Sequence, residues 1–370
     1  MSSQRYAHRQ EQLIERMRAH DLDALVLVPG PNMVYITGLS FHLSERPILA
    51  IFKEDGRRAI VLPELEAVKV TRAHRIEVFS YTDEDGHEAA VQHACEALAL
   101  GRSRLGAEGL RVRLVEVQLL ERYAPGCGLV MAEDVLADLR MQKDGHELNL
   151  MRSAIAATEE ALQATISRVT VGLTEREVAS MLRIELLRAG GDAMAFSPIV
   201  VAGPNAALPH ATPSDRPIRA GETLIVDCGA TIGGYAADIT RTFAIAGLDR
   251  GLIRVYQVVR AANRAGRAAV RPHVRAEEID RAARDVIEDA GYGEAFIHRT
   301  GHGLGLETHE PPYIVAGNRQ TLRPGMTFTV EPGIYLPGLG GVRIEDDVVV
   351  TEEGGETLTT FAREMMTLSG

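Results

Sequence analysis

One amphipathic helix pattern occurs twice in the chain, 101 residues apart. The first copy opens with the capping box Thr174-x-x-Glu177 and ends at Gly190, and the second copy ends at Gly291. This repeat predicts two matching helices and favours a duplicated αβ unit in which each half supplies part of a site. Two ordinary helices that both end at glycine would give the same pattern. The apolar positions correspond as Val178, Met181, Leu182, Leu186 and Ala189 with Ile279, Ala282, Ala283, Ile287 and Ala290.

Two aspartates lie on either side of a turn signal between the repeated helices. Asp227 ends the apolar run 224–226, and Asp238 lies in a second strand-like segment, 235–243. The sequence Thr-Ile-Gly-Gly at 231–234 separates them and is typical of a hairpin turn. The midpoint between the two aspartates falls inside this turn. We therefore expect a hairpin that places Asp227 directly opposite Asp238.

A second hairpin pattern carries two glutamates. Glu331 lies in the strand-like segment 327–335, Glu345 lies in 342–350, and the midpoint between them is Gly338 in a glycine-rich turn. Opposed carboxylates on neighbouring strands are destabilising unless a positive charge lies between them. Solvated hairpins with unrelated acids are the alternative, but the flanking residues are apolar, and burying an uncompensated carboxylate costs several kcal/mol. The pattern favours a bound cation.

An imidazole ligand is available in the glycine-rich stretch 300–310. Glycines flank His302 and would permit close approach of the backbone to a ligand. The stretch lacks the ending of a P-loop and the spacing of a dinucleotide fingerprint, so a nucleotide site is disfavoured. A lone histidine is more often a packed core or surface residue, but five of the chain's twelve histidines fall within one hundred residues of the acids. These are His210, His273, His298, His302 and His309, of which His273 reads as a loop residue.

Composition limits the class of partner. The net charge is −11 and the isoelectric point is about 5.6, which argues against nucleic acid because phosphate binding requires a basic face. No run of 18 apolar residues occurs, and the first ten residues are polar, so we expect no membrane contact and a cytoplasmic location. Three cysteines form no CxxC pair and are expected to be reduced. Cys228 should fill the core on the strand face opposite Asp227.

The elements along the chain indicate two domains. Helix-like segments at 4–19 and 84–100 alternate with strand-like segments at 24–28, 47–52, 58–62 and 104–108, which indicates an α/β domain over residues 1–140. A polar stretch at 142–147 marks the junction. Residues 141–370 form the second domain, which begins with a helix over 147–169.

Five separated segments in this second domain resemble those of the pita-bread metallopeptidases, in the Xaa-Pro branch that holds aminopeptidase P and prolidase. The resemblance is close from about residue 140 onward and looser before it, where it rests chiefly on residues 32–38. It implies a creatinase-like α/β domain followed by a pita-bread α+β catalytic domain with duplicated αβ halves. The matching segments are 225–229, 235–242, 298–309, 325–335 and 341–347.

The resemblance also implies a ligand set for two divalent metal ions. Asp227 would bind one ion, His302 and Glu331 the other, and Asp238 and Glu345 would bridge both. Oxygen ligands with one imidazole suit Mn²⁺, with Co²⁺, Fe²⁺ or Zn²⁺ as alternatives. A water between the ions would become a hydroxide nucleophile, and the ions would stabilise the charge on the carbonyl oxygen.

Further residues have roles in this expected reaction. Glu331 is the candidate proton shuttle, because the proline nitrogen leaves only once it is protonated. Three histidines, which the family uses to contact the substrate carbonyl and line the proline pocket, match His210, His298 and His309. Arg343 is either the anchor of a metal-binding carboxylate or an exposed strand cation.

The expected activity is removal of the N-terminal residue from short Xaa-Pro peptides, as by aminopeptidase P. Prolidases of this size tend to carry an arginine four residues after the second motif histidine, to hold the dipeptide carboxylate, and this chain has Tyr313 there. An arginine from elsewhere could serve instead, so a dipeptidase is the alternative, followed by a related small-amide hydrolase or an inactive binding module. Family members are usually homodimers, and we expect one here.

Overall fold

The computed structural model describes residues 3–369 and divides the chain into two compact units, Met1–Arg140 and Met141–Gly370. No helix among the described residues is both long and apolar enough to span a bilayer. The first unit contains α1 Ser3–Ala19, β1 Ala24–Leu27, α2 Pro31–Thr37, β2 Leu49–Lys53, β3 Arg58–Pro63, α3 Glu64–Ala67, β4 Glu77–Tyr81, α4 Glu88–Ala97, β5 Arg104–Ala107, α5 Leu114–Tyr123, β6 Gly128–Met131 and α6 Glu133–Arg140, with a 3₁₀ turn at Arg72–His74.

A six-stranded mixed sheet forms the centre of the first unit, in the order β4-β3-β2-β1-β5-β6. β1 is antiparallel to β2 and parallel to β5. One face of the sheet packs on α4 and α5 through a cluster of buried aliphatic residues that includes Val26, Val91 and Leu120. The predicted α/β domain is confirmed, although its helix near residue 90 is shorter than the sequence indicated.

The second unit contains most of the strands. Its elements are α7 Gly145–Ile166, α8 Glu175–Arg188, β7 Ala193–Met194, β8 Ile199–Ala202, β9 Thr223–Cys228, β10 Ala230–Ile232, β11 Tyr235–Ala236, β12 Ile239–Ile245, α9 Arg250–Ala269, α10 Ala276–Asp289, β13 Gly301–Gly303, β14 Glu310–Ile314, β15 Thr327–Val330, β16 Gly333–Leu336, β17 Gly340–Arg343, β18 Asp346–Val350, β19 Gly355–Thr357 and β20 Thr367–Leu368, with 3₁₀ turns at Gly203–Ala207 and Gly293–Ala295.

The predicted helix repeat is confirmed by α8 and α10. Both helices are 14 residues long, and their first residues are 101 positions apart. Thr174 and Glu177 form the full capping box, with reciprocal backbone-to-side-chain hydrogen bonds of 2.7 and 3.2 Å. Before α10, the Arg275 N–H donates to the Glu278 carboxylate at 2.8 Å, but arginine has no acceptor to complete the box.

Each half of the second unit packs a sheet against a helix pair. The sheet β20-β12-β9-β8 lies on α7 and α8, and Cys228 is fully buried in their shared core, as predicted. The sheet β14-β13-β15-β18-β19 belongs to the other half, in which α9 and α10 pack together over β16 and β17. The two halves are joined where Glu345 N–H donates to the Thr240 carbonyl at 3.1 Å. The carboxylates of both hairpins therefore lie at the junction of the halves.

Candidate metal centre

The first hairpin exists, but the predicted register is wrong. β9 pairs with β12 so that Asp227 faces Thr240, and β10 and β11 continue the same register. The turn residues Gly233 and Gly234 have φ of 58° and 85°, and a two-residue turn of this kind requires positive φ at both central positions. The turn therefore lies one residue later than the sequence suggested. Asp238 is diagonal to Asp227 on the same face instead of directly opposite.

The second hairpin has the predicted register. β15 pairs with β18 and β16 pairs with β17 in one common register centred on Gly338. Each predicted long strand is interrupted, at Glu331-Pro332 on one side and at Ile344-Glu345 on the other. Proline has no N–H for the strand ladder, which accounts for the break at Pro332. Glu331 and Glu345 both lie in these interruptions, outside the regular strands.

The structure brings together the residues that the sequence predicted as ligands. Each of three side-chain groups has ligand atoms within 4.8 Å of one another, and the groups share members. The side chains line one cleft of about 810 Å³ and, apart from the exposed His309, are largely buried, with Glu345 only 1% exposed. The groups are Asp227 with Asp238 and Glu345, His302 with Glu331 and Glu345, and Asp238 with His302 and His309.

The electrostatics of the cluster favour a bound cation. Burial raises the pKa values of Asp227, Asp238 and Glu345, and the neighbouring carboxylates raise them further. For Glu331 burial acts in the same direction, but the hydrogen bond and charge of His302 outweigh it and lower the pKa to about 2. Oxygen Oδ1 of Asp227 is buried and accepts no hydrogen bond from the described residues. Four carboxylates and one imidazole thus fit a pair of divalent cations in charge and in donor type.

Arg343 holds Asp227 in place. Its Nη2 donates to Asp227 Oδ2 at 2.6 Å, its Nη1 donates to Tyr335 Oη at 2.9 Å, and its Nε donates to Thr240 Oγ1 at 3.2 Å. The Thr240 hydroxyl in turn donates to Glu345 Oε2 at 2.5 Å. Thr240 and Tyr335 were not predicted from the sequence. The position of Thr240, two residues after Asp238 on the same strand face, was the available signal.

The predicted histidines lie around the same cleft. The Nε2 atom of His302 is 3.2 Å from Glu331 Oε1, and the His309 ring centroid is 3.9 Å from that of His302. Burial lowers the pKa of His309 to about 4, and the positive charges of neighbouring groups contribute. His210 is exposed at the cleft wall. His309 can therefore face a substrate as a neutral imidazole.

His298 differs because both of its ring nitrogens have partners. Nδ1 lies 2.7 Å from the Arg299 carbonyl, and Nε2 lies 2.8 Å from Tyr335 Oη. Burial lowers its pKa, which favours the neutral ring. A substrate carbonyl would have to displace one of these partners to reach His298. Its contact with Tyr335 also connects it to Arg343, which shares that hydroxyl.

Glycines next to the ligands permit very close backbone contacts. A Cβ atom at Gly229 would lie 1.8 Å from the Ala237 carbonyl oxygen, and one at Gly301 would lie 1.8 Å from the Thr329 carbonyl oxygen. No side chain fits at such distances. The spacing between the strands that carry the cluster therefore depends on glycine at both positions.

Comparison with known proteins agrees with this architecture. Residues 149–352 match the model of metallopeptidase family M24, and residues 9–142 match the creatinase/prolidase N-terminal domain. The chain belongs to metallopeptidase family M24. It is 38% identical over 352 residues to a probable dipeptidase PepE of Mycobacterium bovis, covering 93% of this chain and 92% of the relative.

Two further relatives match over almost their whole length. An Xaa-Pro dipeptidase of Pyrococcus horikoshii is 33% identical over 357 residues, covering 96% of this chain and 98% of the relative. The crystal structure of a prolidase from Thermococcus sibiricus superposes with a TM-score of 0.94 at 33% identity and covers 100% of both chains. The expected architecture, a creatinase-type N-terminal domain followed by a pita-bread catalytic domain, is confirmed.

Proposed function

We propose that this M24 metallopeptidase is a dipeptidase that cleaves Xaa-Pro dipeptides with two divalent metal ions. The full-length similarity to proteins named as dipeptidases, together with the buried carboxylate cluster, supports the proposal. The sequence favoured an aminopeptidase because Tyr313 replaces an expected arginine. The relatives support the dipeptidase alternative better than that first expectation.

The proposed ligand roles are those that the family resemblance implies. Asp227 would hold one ion, His302 and Glu331 the other, and Asp238 and Glu345 both; all five side chains occur in the three ligand groups. Mn²⁺ is the expected metal. When bound, such ions lower the pKa of a water molecule and polarise the substrate carbonyl.

Protein groups would complete the reaction by moving a proton. Glu331 lies next to His302 in the ligand cluster, and its carboxylate could accept a proton from the attacking water. It can then donate this proton to the proline nitrogen as the bond breaks. The ion pair with Arg343 favours the ionised form of Asp227 and fixes its orientation. His309 and His210 would contact the substrate at the cleft wall.

Substrate length tests the proposal directly. The Mn²⁺-loaded protein is assayed with an Xaa-Pro dipeptide and an Xaa-Pro-Yaa tripeptide at equal concentrations. We expect dipeptide turnover that exceeds tripeptide turnover at least tenfold, and loss of both in Asp238→Asn, which removes a charge from the bridging position. Metal-independent cleavage, or no cleavage of either peptide, would contradict the proposal and favour a small-amide hydrolase or a binding module.

An aminopeptidase P activity is the second candidate, because one specific observation favours it. Tyr313 is 38% exposed and carries no charge, so position 313 cannot form an ion pair with a substrate carboxylate. Preferential cleavage of the tripeptide would establish this second candidate.

A further inference from the structure

A dipeptidase must hold a free carboxylate close to the bond that it cleaves, and the cleft has two arginines that could do so. They are Arg299 and Arg343. Arg343 is 3% exposed, and each of its nitrogens donates to a protein group: Nε to Thr240, Nη1 to Tyr335 and Pro209, and Nη2 to Asp227. A substrate could bind Arg343 only by breaking these contacts. Arg343 therefore positions the carboxylates of the candidate metal centre.

Arg299 is different because its guanidinium is not committed to any acceptor. Its side chain forms no hydrogen bond or ion pair with a residue of the described range 3–369. The side chain is half-buried, and its charge contributes to lowering the pKa of His309 on the same cleft wall. A half-buried cation without a carboxylate partner loses solvation and gains little in return. A ligand anion would supply the missing partner.

The ring of Tyr313 fixes the position of this guanidinium. The Arg299 Cζ atom lies 4.6 Å from the Tyr313 ring centroid, which is within the range of a cation–π contact. The backbone of Tyr313 is held in place, because it pairs with His302 between β13 and β14. A guanidinium stacked on a ring by its face keeps its N–H groups free at the edge for a bidentate contact with a carboxylate.

We propose that Arg299, supported by Tyr313, binds the C-terminal carboxylate of the dipeptide substrate and gives the enzyme its preference for dipeptides. This inference rests on the proposed dipeptidase function and identifies the substrate as one with a free α-carboxylate. It also explains how tyrosine can occupy position 313 in a dipeptidase. The positive charge is supplied instead by Arg299, which lies just before β13 and contacts the Tyr313 ring.

The test compares an Xaa-Pro dipeptide with its C-terminal amide, which has the same shape without the charge. Wild-type protein, Arg299→Gln and a control, Arg319→Gln, are assayed with Mn²⁺; Arg319 is exposed and does not line the cleft. We expect Arg299→Gln to raise KM for the dipeptide about tenfold to a hundredfold, in line with loss of a charge-assisted pair. Its KM for the amide and its kcat should change less than threefold, and Arg319→Gln should match wild type.

The amide substrate separates a local effect from misfolding, because a misfolded variant loses activity on both substrates. If folded Arg299→Gln, checked by its melting temperature, keeps the wild-type preference for the dipeptide over the amide, the assignment of Arg299 is wrong while the dipeptidase function stands. If wild-type protein cleaves no dipeptide, the proposed function itself fails. Arg299→Lys keeps the charge without the planar fork and should retain part of the preference.

Discussion

Asp346 should be the residue on which the stability of the catalytic unit most depends. It is fully buried at the start of β18, directly after Glu345. Its carboxylate connects β12, α9 and the C-terminal segment. Five side chains contact it within 3.2 Å: Arg241, Asn263, Arg267, Thr359 and Arg363.

Asp346→Asn should destabilise the protein by about 3–5 kcal/mol, the usual cost of removing one partner from a buried ion pair. The variant leaves Arg241, which is 1% exposed, without its carboxylate. Burial raises the pKa of Asp346, but Arg241, Arg363 and Arg267 outweigh it and lower the pKa from 3.8 to about 2. That shift alone corresponds to about 2 kcal/mol of stability at neutral pH.

The sign of the pH dependence follows from the lowered pKa. The ionised carboxylate stabilises the folded state fully above about pH 5, and this contribution is lost as the pH falls toward 2. The difference in stability between wild type and Asp346→Asn should therefore be largest at neutral pH and shrink below about pH 4.

Calorimetry in the presence of a chelator measures this effect without a contribution from metal binding. We expect the melting temperature of Asp346→Asn to fall by about 6–20 °C at pH 7, scaled for a unit of this size. The control Thr359→Val removes a single hydrogen bond to Asp346 and should cost about 1 kcal/mol. A loss in Asp346→Asn no larger than in Thr359→Val would refute the reasoning.

Three further predictions concern the metal centre. Gly229→Ala should abolish metal binding in titration calorimetry although no ligand changes, because its Cβ would overlap a backbone oxygen, whereas Gly354→Ala, in open space, should bind normally. Thr240→Val should lower kcat/KM about tenfold to a hundredfold, since Glu345 loses a hydrogen bond worth roughly 1.5–3 kcal/mol; an unchanged value would contradict that role. In chelator, Asp238→Asn should melt at a higher temperature than wild type, because it relieves carboxylate repulsion, and this order should reverse with Mn²⁺.

Much of the site could be predicted from the sequence because hairpin geometry is local. Two midpoints located the carboxylates, and the one at Gly338 was correct because the turn is centred on a single residue. The midpoint for Asp227 and Asp238 was wrong because the two-residue turn begins one position later than predicted. That shift changes the two aspartates from a directly opposite pair to a diagonal pair. The support by Thr240 and Tyr335 was not predicted, because it depends on how side chains from different strands meet.

The sequence by itself determined the family, the duplicated helices and the set of acids and histidines, because each of these is encoded in short segments with fixed spacing. Only the tertiary structure decided which arginine is committed and which is free. Arg343 and Arg299 are both cations near the motifs. Arg343 donates hydrogen bonds to four protein groups. Arg299 contacts the Tyr313 ring, and its N–H groups donate to no residue of the described range. Three partners of Arg343, namely Thr240, Asp227 and Pro209, lie 103 to 134 positions from it in the sequence, so only the folded chain brings them together.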